Sequence, residues 1–392
     1  MSARFYRDPD VVIVAAKRTP FAKIQSLYKT TSALDLAKMV SEKTIQTANL
    51  EPSMIDHCVV GSVLVSGQNH AYLPRHLSLA LGFNLGCPSY LVNRLCGSGM
   101  QALVEAFMMI KVNKAKCVLA VGVESMSQAA SYSFDNRVGL KLGHTNLIDS
   151  VAGILHDQWI DLPMGQTAEL IAKQYNFSRE QCDEYAHESH KKYKAAWDEG
   201  FYQHEMIAVE GQPVQDEFFR LPNKNDLKKL TPVFSKTGVH TAASSSGLAD
   251  GASAIVLMDK YEADLKGITY HTIVKDYAVT GCDPKTMGLG PVEAIRHVLN
   301  QQQLSMRDIS LFDINEAFAG QVMAVKQDLG IPKHRLNIHG GSLAMGHPLG
   351  ASANRNVVTL SHALREKNKN YGIASACIGG GQGIATLLQN IS

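Results

Sequence analysis

No Cys-x-x-Cys pair occurs in this chain of 392 residues, although it carries seven cysteines (58, 87, 96, 117, 182, 282 and 377). An odd, scattered set argues against a disulfide framework and for a reducing compartment. Most of these thiols should sit in the core as small hydrophobes. No cluster has zinc spacing, and there is no Walker A loop. Neither sign of charge is in excess: 38 Lys and Arg stand against 36 Asp and Glu, a net charge of +2. That is too little for a nucleic-acid binder, though it allows a local basic pocket for a phosphorylated ligand. No apolar run is long enough to span a membrane, and the opening Met-Ser-Ala-Arg-Phe-Tyr-Arg lacks a signal-peptide apolar core. The expectation is a cytoplasmic protein with no membrane or nucleic-acid partner.

What is present is an ordinary globular composition, 45% hydrophobic and 19% charged, in a chain long enough for two or three domains or subdomains of roughly 150 residues. The first third alternates strands and helices. Val11–Ala15 and Val59–Val65 read as strands, Leu34–Thr47 as a helix between them, and Cys117–Val123 as a short buried strand. The last third repeats this grammar. A helix over Pro291–Gln303 is followed by a strand at Ile309–Ile314 and a helix carrying Phe318, Val322, Val325 and Leu329. Another helix runs through Ala353, Val357, Leu360 and Leu364, and a strand covers Gly372–Cys377. Leu50…Ile55 before Val59-Val60-Gly61 parallels Leu304…Ile309 before Asp313-Ile314-Asn315, which predicts two similar α/β subdomains rather than an array.

Residues 125–245 differ, being more charged. Ser178-Arg-Glu-Gln181 is a capping box. Tyr185, Ala186, Ser189, Tyr193 and Trp197 line one face of the helix it opens, and Gly200 ends that helix. Such an insertion commonly covers an active site or binds the bulky end of a substrate. His187 and His190 within it read as a solvated face rather than a metal site.

Cys96 stands in Val-Asn-Arg-Leu-Cys-Gly-Ser-Gly-Met, ahead of Met100, Leu103, Val104, Phe107 and Met108, which keep the rhythm of one helix face. That places a thiol where a strand turns into a helix, with Gly97 and Gly99 permitting a sharp turn and close ligand approach. The positive end of the helix is expected to favour the nucleophilic thiolate. Three clusters in the last third supply partners. Asn315-Glu316-Ala317-Phe318-Ala319 lies between a strand and a helix; its amide can hold a water or an oxyanion, but alone it reads best as a helix cap. Gly340-Gly-Ser-Leu-Ala-Met-Gly-His-Pro-Leu-Gly350 spends four glycines around His347, which favours a histidine that moves a proton or binds a carbonyl oxygen. Cys377-Ile-Gly-Gly-Gly-Gln-Gly383 follows a buried strand. A lone cysteine there would be a core residue, but three glycines expose backbone N–H groups beside the sulfur. A dinucleotide fingerprint does not fit this spacing.

Together these clusters resemble the thiolase family, in the branch of acetyl-CoA acetyltransferases and 3-ketoacyl-CoA thiolases, from Val-Ala-Ala-Lys-Arg-Thr-Pro-Phe near the start to Cys-Ile-Gly-Gly-Gly near the end. The resemblance implies duplicated βαβαβαββ halves forming a five-layered αβαβα core with an inserted loop domain. The halves would span 1–124 with 246–268, and 269–392; the CoA-binding insertion would be 125–245. It implies that Cys96 carries the acyl group and that His347 activates the thiol and, with a water on Asn315, binds the thioester enolate. Cys377 would move the proton at the second partner, and the N–H groups of Cys96 and Gly379 would form a second oxyanion hole. Arg220 matches a position near the adenosine phosphate and Ser246 one near the pantetheine arm; Met164, Ala317 and Phe318 match positions along the acyl and pantetheine channel. Without the resemblance these would read as a surface arginine and core apolar residues.

The implied activity is reversible thiolytic cleavage of 3-ketoacyl-CoA, or the reverse Claisen condensation, in fatty-acid metabolism. Coenzyme A would be a co-substrate, no cofactor would be bound permanently, and the enzyme would be a homodimer or homotetramer. A decarboxylating ketoacyl synthase and a non-catalytic acyl-CoA carrier are the alternatives. Two departures stand out. Pro163-Met164 replaces the His-Met usual in biosynthetic members, removing a polar contact to pantetheine, and Ser244 replaces an asparagine in Thr241-Ala-Ala-Ser-Ser-Ser-Gly.

Overall fold

Strand β1 (Val11–Arg18) shows how the core is divided. Its side chains alternate between two apolar clusters: Val11 and Ile13 enter one, Val12 the other, as the two-residue period of a strand requires. In this computed structural model residues 8–209 and 214–392 are described; the opening segment 1–7, read above for its lack of a signal peptide, lies outside them. Among the described residues no helix is long and apolar enough to cross a membrane.

The first half runs through α1 (Ala33–Thr47), β2 (His57–Gly61), α2 (Leu73–Ala80), β3 (Ser89–Val92), α3 (Ser98–Lys111) and β4 (Cys117–Glu124). The chain then leaves the sheet for a long excursion that includes α4 (Met164–Gln174) and α5 (Arg179–Asp198), and returns as β5 (Ala249–Asp259). The second half follows with β6 (Thr272–Gly281), α6 (Gly290–Gln301), β7 (Ile309–Ile314), α7 (Ala319–Leu329), the single turn α8 (Ser342–Met345), α9 (Leu349–Glu366), β8 (Tyr371–Ile378) and β9 (Gln382–Asn390). Both halves read βαβαβαββ, except that the third strand of the second is reduced to one parallel bridge between Phe312 and Leu336.

The strands lie in the order β7-β8-β9-β6-β1-β5-β4-β2-β3. Val11–Ile13 of β1 pairs with Thr272–Val274 of β6, joining the two half-sheets along one ladder. Helices α3 and α9 pack on each other, and α9 touches β4 and β5 on one side and β7 and β8 on the other. They form a helical layer between the half-sheets. Helix α1 covers the outer face of the first and α6 that of the second, giving five layers, αβαβα. Every residue of β4 is buried. Val118 and Ala120 face the middle layer, whereas Leu119, Val121 and Val123 face α1. Burial on both faces explains why this strand reads as a continuous apolar run.

Two elements end short of expectation. Strand β2 stops at Gly61 rather than at Val65, because the N–H groups of Val63 and Leu64 donate to the carboxylate of Glu124 (3.2 and 3.1 Å) instead of to a ladder. Helix α6 stops at Gln301, short of Gln303, whose φ of 53° lies outside helical space. The capping box at Ser178 is present with both of its bonds, and Gly200 turns left-handed (φ 78°) after α5. His190, read from sequence as solvated, is instead buried, because the face carrying Ala186, Ser189 and Tyr193 turns inward and takes it along.

Candidate active site

The turn that presents Cys96 is strapped on both sides. Ser98 Oγ donates to Leu95 O (2.7 Å) and accepts from Arg94 N–H (2.8 Å). Leu95 is forced to φ 47°, a left-handed conformation a leucine rarely adopts. Helix α3 begins one residue past Gly97. Gly97 lies against Ile378 at the end of β8, where a Cβ would stand 2.6 Å from the Ile378 Cδ1 methyl. There the Gly379–Gly381 hairpin reverses the chain, with Gly380 and Gly381 at φ 77° and 80°. The N–H groups of Gly379 and of Cys96 itself favour the Cys96 thiolate.

The ionisation of Cys96 runs against the sequence expectation. Burial pushes the thiol up to about 11, in opposition to those two N–H groups, and the Glu124 carboxylate adds to the rise. A helix end favours a thiolate only where removing the sulfur from water costs less than the dipole returns. Here it costs more, and the resting group is the thiol. Cys377, buried close to Cys96, is likewise pushed well up by burial.

His347 reaches the same site from the entry of α9. Its N–H donates to Gly247 O (2.8 Å). Ser352 Oγ donates to Pro348 O (2.9 Å) and lies 2.6 Å from His347 Nδ1. With its own proton committed, the hydroxyl must accept from Nδ1–H, which leaves Nε2 as the bare nitrogen. Asn315 Nδ2 donates towards that Nε2 at 3.4 Å. The amide is held in this sense by Ser342 Oγ, which donates to Asn315 Oδ1 (2.6 Å). Behind it the buried Arg355 pairs with Asp313 (2.9 Å). Burial, and then the charge of Arg355, push His347 down to about 3, so its imidazole is neutral. Asn315 is not a helix cap: α7 begins at Ala319, with Phe318 in the capping position.

Cys96, His347 and Cys377 share one cavity of about 530 Å³. Arg220, Ser246, Met164, Ala317 and Phe318 also line it, and Arg220 is exposed. Asn315 is buried behind His347, and Gly379 is buried beside Met164 and Leu95. The sequence reading missed Lys23, His190, Phe218 and Phe234 on the walls, and Leu155, Met287 and Leu349 nearer the sulfurs. It also missed Ser342 and Ser352. A serine in the first turn of the helix after His347-Pro348 was a legible signal for the latter; nothing in the pattern pointed to Lys23.

Two thiols and a tautomer-fixed imidazole on an apolar floor, with a cationic rim, define an enzyme that handles an acyl group on a large anionic carrier. The family profile "Thiolase, N-terminal domain" matches residues 11–261 and "Thiolase, C-terminal domain" matches 268–390, and the chain belongs to the thiolase family. It is 41% identical over 389 residues to human mitochondrial 3-ketoacyl-CoA thiolase, covering 97% of this chain and 98% of that one. To the acetyl-CoA acetyltransferase of Cupriavidus necator it is 38% identical over 392 residues, covering 97% and 99%. The crystal structure of the human enzyme in complex with CoA superposes with a TM-score of 0.96 over 98% of each chain, at 41% identity.

Proposed function

We propose that this protein is a CoA-dependent thiolase that cleaves 3-ketoacyl-CoA to acetyl-CoA and a shortened acyl-CoA, and runs the reverse condensation, through an acyl-Cys96 intermediate. The observation that carries this reading is the meeting of Cys96, His347 and Cys377 in one cavity.

In the cleaving direction His347 Nε2 takes the Cys96 proton as the sulfur attacks the 3-keto carbon. The N–H groups of Cys96 and Gly379 receive the oxyanion, a single such donor contributing about 3 kcal/mol. The carbon–carbon bond breaks and its electron pair becomes the enolate of acetyl-CoA, which His347 and a water on Asn315 stabilise. Cys377 delivers its proton to the α-carbon. The resulting Cys377 thiolate takes the proton of an incoming CoA thiol, which attacks the acyl-cysteine and releases acyl-CoA, and the Cys96 sulfur recovers its proton from His347. Beginning from a neutral thiol and a neutral imidazole suits the apolar floor, since no ion pair has to be held there before substrate arrives.

Arg220 is assigned to the adenosine phosphate end of CoA, Ser246 to the pantetheine arm, and Met164, Ala317 and Phe318 to the channel between them. Coenzyme A is a co-substrate, and fatty-acid β-oxidation is the setting that the 3-ketoacyl-CoA thiolase relatives support. Subcellular fractionation distinguishes the cytoplasm, expected from sequence, from the mitochondrion named for the human relative.

The test is a Cys96→Ser variant incubated with acetoacetyl-CoA and CoA, with acetyl-CoA as the readout. Turnover should vanish while CoA still binds. Wild-type turnover in that variant would overturn the acyl-cysteine reading.

A further inference from the structure

The last residue of β4 is a fully buried acid, Glu124, with no Lys or Arg among its hydrogen-bond partners in the described residues; burial pushes its carboxyl up to about 7, against the hydrogen bonds that hold it. Four donors among the described residues surround it. Ser62 Oγ (3.3 Å) and Leu64 N–H (3.1 Å) donate to Oε1, while Val63 N–H (3.2 Å) and Gly350 N–H (2.9 Å) donate to Oε2. Three donors come from the turn leaving β2. The fourth is in the first turn of α9, three residues past His347 and two before Ser352. A carboxylate at a helix N-terminus also meets the positive end of that helix.

The same place is where the two halves of the site touch. A Cβ on Gly99, in the first turn of α3 and three residues past Cys96, would stand 2.5 Å from Gly350 O, and so would a Cβ on Gly122 of β4. The helix starts that present the thiol and the imidazole therefore meet backbone to backbone, beside the strand end that carries Glu124.

We infer that Glu124 is a positioning residue: it sets Cys96 and His347 against each other by tying the entry of α9 to the exit of β2. The inference rests on the roles proposed above for those two residues. The site calls for a carboxylate in particular. Three of the four donors are backbone N–H groups that cannot turn round, and only the Ser62 hydroxyl can reverse to become an acceptor. A glutamine must aim its NH₂ at one or more fixed N–H groups, and loses at least one bond even in its better orientation. Glu124 is also felt at the sulfur, where its charge helps hold the Cys96 thiol up.

The experiment compares Glu124→Gln and Glu124→Asp with wild type in steady-state thiolysis of acetoacetyl-CoA, in the pH dependence of Cys96 alkylation by iodoacetamide, and in thermal unfolding. For the glutamine variant kcat should fall about tenfold or more, as for a small misplacement of reacting groups, with KM within about twofold. Its alkylation midpoint should move to lower pH, because a negative charge near the sulfur is gone. The aspartate variant keeps the charge but shortens the reach, so kcat should fall while the midpoint stays. Wild-type kcat in either soluble variant overturns the inference. So does a loss of activity in the glutamine variant that tracks its folded fraction while the midpoint stays put. Cys96→Ser run alongside separates the two claims: turnover in that variant removes the acyl-cysteine reading, whereas full kcat in the Glu124 variants with Cys96→Ser inactive removes only the positioning role.

Discussion

A thiol pushed up to about 11 beside an imidazole pushed down to about 3 rests as a neutral pair. A thiol raised above its ordinary value is protonated through neutral pH, and a histidine lowered that far carries no proton to lose near pH 6.5. Alkylation of Cys96 by iodoacetamide in the ligand-free protein should therefore rise about tenfold per pH unit between roughly 7 and 10, with no step near 6.5. A rate already flat by pH 8 would mean a resting thiolate–imidazolium pair and would contradict the burial argument. At this scale the glycine-rich surroundings of Cys96, His347 and Cys377 made all three legible in the sequence. The charge state of Cys96 was not, because a helix start is visible in a string of residues and the depth of a sulfur below the surface is not. His190 failed for the same reason: its neighbours along α5 are charged, but its own face of the helix turns inward.

Among the elements, those with both faces buried or a strong apolar stripe were read well, and β7 spans the expected Ile309–Ile314. Two of the misreadings fell where a polar side chain is committed to partners other than the expected ladder or helix start. Glu124 takes the N–H groups that would have extended β2, and the Asn315 amide serves Ser342 and His347 rather than the start of α7. The strand lost from the second half, reduced to the Phe312–Leu336 bridge, left no periodicity to read. The glycines where α3, β4 and α9 meet make an element-scale prediction. A Cβ on Gly350 would stand 2.9 Å from Gly61 O and closer still to Val123 O, both of them backbone atoms that cannot swing aside. Gly350→Ala should push the start of α9 off β4, costing about 1–3 kcal/mol as overpacking does. It should lower kcat for acetoacetyl-CoA thiolysis by more than that loss of folded protein accounts for. Differential scanning calorimetry with parallel kinetics measures both, and unchanged values would show that the contact is not what fixes α9.

For the whole molecule, the question is what fastens the long excursion between β4 and β5 to the layered core, since it supplies Met164, His190, Phe218 and Arg220 to the cavity. Arg18, the last residue of β1, is fully buried. Its Nε meets Glu205 at 2.5 Å, and its two terminal nitrogens grip Asp216 at 2.8 and 3.0 Å. The backbone repeats the tie: Arg18 N–H donates to Glu205 O (2.8 Å) and Ile207 N–H to Arg18 O (2.9 Å). The rings of Phe21 and Tyr202 lie 5.2 and 5.4 Å from the guanidinium carbon. One cation thus holds two carboxylates of the excursion against the first strand of the core, a link between residues almost 200 positions apart that no local pattern announces. Replacing Arg18 by Met keeps most of the volume but leaves Glu205 and Asp216 buried without their cation. Breaking a buried pair in this way typically costs about 3–5 kcal/mol. The urea midpoint of Arg18→Met should fall accordingly. Because Phe218 and Arg220 follow Asp216 within four residues, KM for CoA should rise at temperatures where the variant is still folded. Arg18→Met combined with Asp216→Leu should recover part of the stability by removing one stranded charge. An unchanged urea midpoint in Arg18→Met would mean that the excursion is held by its apolar contacts alone.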